Sequence, residues 1–146
     1  MLDKLYSARF NDKEQKQKER IWRVLCSNFF QKFIHLDSSV LEIACGYGEF
    51  ISNINCKKKM AIDLNPEIGS RLPENVEFRN CDASQIEFVL DGSVDTVFVS
   101  NFFEHLPDKN NLTKVLKAIH RVLKPGGQLL MLQPNYKYSS MDYWDF

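Results

Sequence analysis

The stretch Val40-Leu41-Glu42-Ile43-Ala44-Cys45-Gly46-Tyr47-Gly48-Glu49-Phe50 constrains this chain more than any other. An apolar run carries a carboxylate and ends in two glycines one residue apart, with room for a helix to begin just after. Glycine has no Cβ, so such a turn lets bare backbone come close to a ligand. Glu42 lies where the polar groups of a nucleotide-type ligand would sit.

Alternation around this turn extends it into a fold. Strands are expected at about 39–44, Lys59 to Asp63, Val76 to Arg79, Val94 to Ser100 and Gln128 to Gln133. The fourth has the continuous apolar look of a strand buried on both faces. Between them fall a short helix at about 48–55 and another opened by Asn65-Pro66-Glu67, since proline suits a first helical turn. Asp91-Gly92-Ser93 forms a turn. A third, amphipathic helix runs from Leu112 to Leu123, closed by a stop and turn at Lys124-Pro125-Gly126-Gly127. Ahead of them, residues 11–36 read as one long helix with a wide apolar face of Ile21, Trp22, Leu25, Cys26, Phe29, Phe30, Phe33 and Ile34. Its basic cluster, Lys13, Lys16, Lys18, Arg20 and Arg23, is interleaved with acids at helical spacing and reads as a solvated face. Strands alternating with helices imply an α/β domain around a mostly parallel sheet, a Rossmann-like three-layer sandwich with five readable strands. We divide it into an N-terminal helical segment packing on the core (1–36), a ligand-binding core (37–134) and an aromatic-rich C-terminal segment (135–146).

Composition narrows the partners. Lys plus Arg number 19 and Asp plus Glu number 19, which argues against a chain whose task is gripping a nucleic-acid backbone. The four cysteines, Cys26, Cys45, Cys56 and Cys81, have no CxxC or zinc spacing and read as free thiols of a cytoplasmic protein, with no metal. No signal peptide is evident, and no apolar run approaches the ~20 residues of a membrane span, so no membrane partner is expected.

In open parallel sheets, ligands bind beyond the carboxyl ends of the strands. Every strand here ends in small or polar residues: Glu42 to Gly46, Asp63, Asp82 just past the third strand, and Ser100-Asn101. Asp63 can accept from both hydroxyls of a ribose, or it can cap the turn at Asn65-Pro66. Dinucleotide sites use GxGxxG with a pyrophosphate on the helix N-terminus. Here Ile51 replaces the third glycine, and Glu49 would set a negative charge beside the pyrophosphate. A carboxylate-rich loop better suits S-adenosylmethionine, which has no phosphate and carries a sulfonium and an ammonium group.

The chain resembles the class I S-adenosylmethionine-dependent methyltransferases, in particular their small-molecule branch, over about residues 37–134. Glu42-Ile43-Ala44-Cys45-Gly46-Tyr47-Gly48 resembles the first motif of that family, and Met60-Ala61-Ile62-Asp63-Leu64-Asn65-Pro66 the second. Asn80-Cys81-Asp82-Ala83 is similar to its adenine-contact turn, Val94 to Leu106 to its fourth-strand motif, and Leu123-Lys124-Pro125-Gly126-Gly127-Gln128-Leu129 to the turn before strand five. The resemblance implies that Gly46 and Gly48 let backbone approach the methionine part of the cofactor while Glu42 orients the loop and helps hold the amino group. It implies Asp63 on the ribose, Leu64 on the adenine face, Asp82 and the Ala83 N–H on the adenine edge, and Asn101 and Phe102 near the methionine end. Ala44 stands where glycine is usual, a methyl that should tune cofactor fit.

The implied reaction is in-line methyl transfer to a small-molecule acceptor, leaving S-adenosyl-L-homocysteine. His105, following the fourth strand, is the candidate general base if the acceptor is a hydroxyl; Glu104 is weaker, and His35 and His120 are structural or exposed. Cys45 reads as a packing residue. The family core usually has seven strands, the last two a hairpin beside strand five. Only five are readable here, so strand five is expected to be an open edge that favours a homodimer, through that edge or through the aromatic segment. Tyr136, Tyr138, Tyr143, Trp144 and Phe146 form a substrate wall, lead into further sequence, or pack across that edge. The alternatives are a cofactor-binding module inactive by itself and, more remote, a nicotinamide oxidoreductase.

Overall fold

A computed structural model describes residues 12–135, 137 and 138. Five strands form one sheet: β1 (Ser39–Ile43), β2 (Lys58–Asp63), β3 (Val76–Asn80), β4 (Val94–Ser100) and β5 (Leu123–Leu132). Their order is β3-β2-β1-β4-β5, and every pairing is parallel rather than merely most of them. From β1 the chain steps outward to β2 and β3, then returns to the other side of β1 for β4 and β5. The order therefore reverses between β1 and β4, and a crevice opens beyond their carboxyl ends.

Alternation along the strands builds a core on each face. Val40 on β1, Ala61 on β2 and Phe98 on β4 pack against α1 (Asp12–Asn28) and α2 (Glu49–Asn53). Leu41, Ile43, Met60, Ile62, Val97 and Val99 pack against α3 (Lys109–Val122) and the segment around Ala83, Ile86 and Val89. Phe98 centres the first core. Its ring stacks on Phe50 with centroids 3.5 Å apart and meets Trp22 and Phe30 edge-on.

The long first helix is shorter than its periodicity suggests. It ends at Asn28, and after Phe29 (φ −123°, ψ −66°) a 3-10 turn covers Phe30–Phe33. Trp22, Cys26, Phe30 and Ile34 alone of the expected face are buried, a stripe repeating every four residues; Ile21, Phe29 and Phe33 are exposed. The tighter 3-10 turn keeps Phe30 and Ile34 on the core while the chain drops toward β1. At the other end α3 begins at Lys109, earlier than its apolar pattern, because Asp108 caps it by accepting from Asn111 N at 2.7 Å. The expected turn at Lys124–Gly127 is instead part of β5, as a bulge. Val94 pairs with Leu123 and Thr96 with Gln128, so the extra residues arch outward. Asn65, not Asp63, caps the 3-10 turn Pro66–Arg71, accepting from Glu67 N at 3.0 Å.

Tyr138 is exposed; Tyr136, Tyr143, Trp144 and Phe146 lie outside the described residues, and with them the three readings of the aromatic segment.

Candidate cofactor and active site

The crevice is built at its centre by the turn after β1. Cys45 N donates to Ile62 O at 3.0 Å, extending the β1–β2 ladder, and Gly48 N closes the turn on Cys45 O at 2.8 Å. Three residues of the turn have positive φ: Ala44 (53°), Gly46 (52°) and Gly48 (72°). The two glycines answer different needs. A Cβ on Gly46 would meet nothing within 4 Å, so its backbone faces open space. A Cβ on Gly48 would collide with Leu72 Cδ2, so this glycine serves packing behind the turn.

Asp63 ties the second strand to the turn. It is 8% exposed. Its Oδ2 accepts from Gly46 N at 2.9 Å and its Oδ1 from Asn65 N at 2.9 Å. Each carboxylate oxygen can accept twice, so one acceptor position on each remains for a ligand. Asn80 at the end of β3 donates its amide to Asp63 O at 2.9 Å, and Cys81 N donates to the same carbonyl at 3.3 Å. Leu64, the next residue, holds its side chain 62% exposed, where it can lie against a flat ring.

Glu42 is 4% exposed, on the same face of β1 as Val40. Its Oε2 accepts from Ile51 N at 2.9 Å, which pins the first turn of α2 and so the far side of the glycine turn. Burial holds its carboxyl well above the ordinary range, and nearby Glu49 and Asp63 push the same way against the Ile51 N–H and Lys18. The Cys45 thiol is pushed up by burial and by Glu42 and Asp63, and that of Cys26 to about 12. Neither can supply a thiolate near neutrality, which fits Cys45 as a packing residue.

Glu49 departs from its expected place. Its carboxylate pairs with Lys18 Nζ on α1 at 2.7 Å, which leaves Asp63 as the carboxylate bonded to the glycine turn. Tyr47, between the two glycines, has Arg71 at 5.0 Å and Lys18 at 5.9 Å from its ring centroid. The sequence reading missed Arg71, and it placed Asn80 only in the adenine-contact turn and not as the donor to the Asp63 carbonyl.

The remaining expected residues follow β3 and β4 in the chain. Asp82 is exposed, and its Oδ1 accepts from Ser84 N and Oγ at 2.8 and 2.6 Å. Ala83 is buried in the second core, against which Ala44 and Phe102 also pack. Asn101 (φ 45°) ends β4 and donates its N–H to Leu132 O at 2.9 Å. His105 is exposed on the 3-10 turn Phe103–His105, its N–H donating to Phe102 O at 2.9 Å. Glu104 is half-buried, and His35 and His120 are exposed away from the crevice.

Residues 41–131 match a family described as a methyltransferase domain. The chain is 29% identical to the ubiquinone/menaquinone biosynthesis C-methyltransferase of Rickettsia typhi, covering 78% of this chain and 50% of that protein. It is 31% identical to the ubiquinone biosynthesis O-methyltransferase of Xanthomonas oryzae pv. oryzae over 63% of this chain and 41% of that one. The chain thus spans about half the length of the curated relatives it matches. Among solved structures, a Pyrococcus horikoshii protein superposes over 80% of this chain and 57% of its own, with a TM-score of 0.64 and 26% identity. An S-adenosylmethionine-dependent methyltransferase of Archaeoglobus fulgidus shares the fold, with a TM-score of 0.66 at 23% identity over 81% of this chain and 54% of its own.

Proposed function

Because this chain belongs to the methyltransferase domain family, whose methyl donor is S-adenosylmethionine, we propose that it binds that donor in the β1–β4 crevice and transfers the methyl group to a small-molecule acceptor. The observation that carries the proposal is the Asp63–Gly46 bond, which locks a two-acceptor carboxylate against an open, positive-φ glycine at the switch point. The residues fit the group. Asp63 keeps an acceptor position on each oxygen for the ribose hydroxyls, Leu64 offers an apolar face for adenine, and Asp82 with the Ala83 N–H would take the adenine edge. Gly46, with Ala44, Asn101 and Phe102, would border the methionine end; Gly48 and Glu42 act from behind by fixing the turn.

When bound, the donor supplies an electrophilic methyl carbon already activated by the positive sulfur. The chain supplies position: fixing donor and acceptor in line can contribute about 7–11 kcal/mol to rate. Left-handed Ala44 and Asn101 flank the crevice from β1 and β4, and strained backbone of this kind concentrates at functional sites. For a hydroxyl acceptor, His105 would take the proton from the attacking oxygen. The two quinone-pathway relatives suggest an aromatic ring carbon or ring hydroxyl as the methyl acceptor. A cofactor-binding module that needs further sequence for turnover is the second reading, because the chain spans about half of those relatives. Incubation with labelled donor and a panel of hydroxylated aromatic acceptors separates the two. Label transferred to one acceptor class supports the enzyme; saturable donor binding with no transfer to any of them supports the module.

A further inference from the structure

We propose that the outer surface of α1, with the 3-10 turn and Leu36 that follow it, is a peripheral docking surface for an anionic lipid bilayer. Trp22, Cys26, Phe30 and Ile34 are buried and hold this segment on the sheet. Ile21, Val24, Phe29, Phe33 and Leu36 stand exposed, Leu36 by 69%. Most of these join into one patch. Ile21 is three residues from Val24 and four from half-buried Leu25, so the three share a side of α1. One turn on, Phe29 N donates to Leu25 O at 3.0 Å, and the Phe29 ring meets that of Phe33 with centroids 5.3 Å apart. A contiguous apolar surface marks an interaction site, whereas single exposed side chains do not.

The charge around the patch identifies the partner. Acids alternate with cations along α1 only as far as Glu19. From Arg20 to Leu36 there is no acid, and Arg20, Arg23 and Lys32 are all exposed. A further cation comes from a distant part of the chain. The Gln31 side chain bonds Asn55 N at 2.8 Å and Asn55 O at 2.9 Å, and Lys57 N donates to Ser38 O at 3.0 Å. Exposed Lys57 therefore joins the same end of the surface. Glu19 and Asp37 bound the acid-free run in the sequence. The whole chain has 19 basic and 19 acidic residues, so this run is a local excess of positive charge. Apolar side chains flanked by cations match an anionic bilayer surface: the apolar groups enter the acyl boundary while the cations stay among the headgroup phosphates. A helix surface with projecting side chains is convex, and a fluid headgroup layer moulds to it without a matching groove. No described helix is long and apolar enough to cross a membrane, and the expectation of no membrane partner concerns such spans. Lying on a bilayer needs only one apolar face. Leu36 precedes β1, whereas the crevice lies beyond the carboxyl ends of the strands, so docking at this end does not cover the crevice.

The experiment is flotation of the full chain with vesicles of phosphatidylcholine alone and of equal parts phosphatidylcholine and phosphatidylglycerol, at low and at high salt. Each cation near an anionic surface is worth roughly a fivefold gain in partitioning, and salt screens it. The wild type is expected to partition at least about tenfold more strongly to the mixed vesicles than to the neutral ones, and to lose most of that preference at high salt. Arg23→Gln combined with Lys32→Gln should weaken partitioning to the mixed vesicles at least about tenfold. Val24→Ser combined with Leu36→Ser should weaken it by about tenfold as well, through lost apolar insertion. All four positions are exposed, so circular dichroism should show both variants folded. Wild-type protein that floats with neither vesicle overturns the proposal, and decides the matter even if a variant does not fold. Binding that fails to distinguish the two vesicles, or that persists undiminished in both variants, overturns it as well. A wild type that floats with neither vesicle but forms dimers, dissociated by Val24→Ser with Leu36→Ser, makes the face an interface between copies instead.

Discussion

At the scale of single residues, the turn after β1 separates binding from packing within three positions. Gly46 and Gly48 are both left-handed, and only Gly48 is pressed by a neighbour, Leu72. Gly46→Ala should therefore cost about 1–2 kcal/mol, from φ alone, while blocking the backbone approach to a ligand. Gly48→Ala should cost about 2–4 kcal/mol, because steric collision adds to the same φ penalty. Urea denaturation and S-adenosylhomocysteine titration on both variants would check this. The expected pattern is a larger stability loss in Gly48→Ala and a larger affinity loss per unit of stability in Gly46→Ala. Ala44 belongs to the same turn. From sequence its methyl looked like a matter of cofactor fit. At φ 53° it is first a matter of backbone, since a side chain there is strained whatever the ligand.

At the scale of elements, the strands were readable because an α/β sheet writes its pattern locally. The five expected strands were found, β4 with the same bounds and the others within a few residues apart from the early start of β5. What the sequence hid was contact at a distance. Phe29 interrupts the first helix because Phe30 and Ile34 must reach Phe98 and the sheet, and no local signal marks that break. The β5 bulge is set by its register on β4. Glu49 looked like a charge facing the ligand until Lys18, some thirty residues earlier in the chain, claimed it. The same holds for Arg121 on α3, which holds the segment before β4. Its guanidinium donates to Ile86 O and Val89 O at 2.9 Å each and pairs with Asp91, while Gly92 N and Ser93 N donate back to Arg121 O and Val122 O. Arg121→Ala should cost about 2 kcal/mol, because two partly buried carbonyls lose a charged donor. Hydrogen exchange at Gly92 and Ser93 should speed up selectively; unchanged exchange there would mean that the apolar contacts of Ile86 and Val89 hold the segment alone.

At the scale of the whole molecule, the two edges of the sheet are unlike. β3 sets exposed Glu77 and Arg79 along its edge, the kind of charge that discourages strand pairing. The Gln128–Leu132 stretch of β5 has no charge and no proline, and Met131 stands 53% exposed on it. We propose that β5, an edge among the described residues, pairs with a second copy, and Met131→Lys should disfavour it. Light scattering across a wide concentration range should give a mass that rises for the wild type and stays monomeric for the variant. A monomeric wild type throughout would remove the edge as an association site. No described helix is long and apolar enough to cross a membrane.

Everything assigned to the crevice depends on the ligand of Asp63 and Gly46. Calorimetric titration with S-adenosylmethionine, with NADH as the control and Asp63→Ala as the variant, tests that dependence most directly. The expected result is saturable binding of S-adenosylmethionine, no binding of NADH, and at least about a tenfold loss of affinity in Asp63→Ala, the scale of one charge-assisted hydrogen bond. Binding of NADH in place of S-adenosylmethionine, or an affinity for S-adenosylmethionine unchanged in a folded Asp63→Ala, would contradict it.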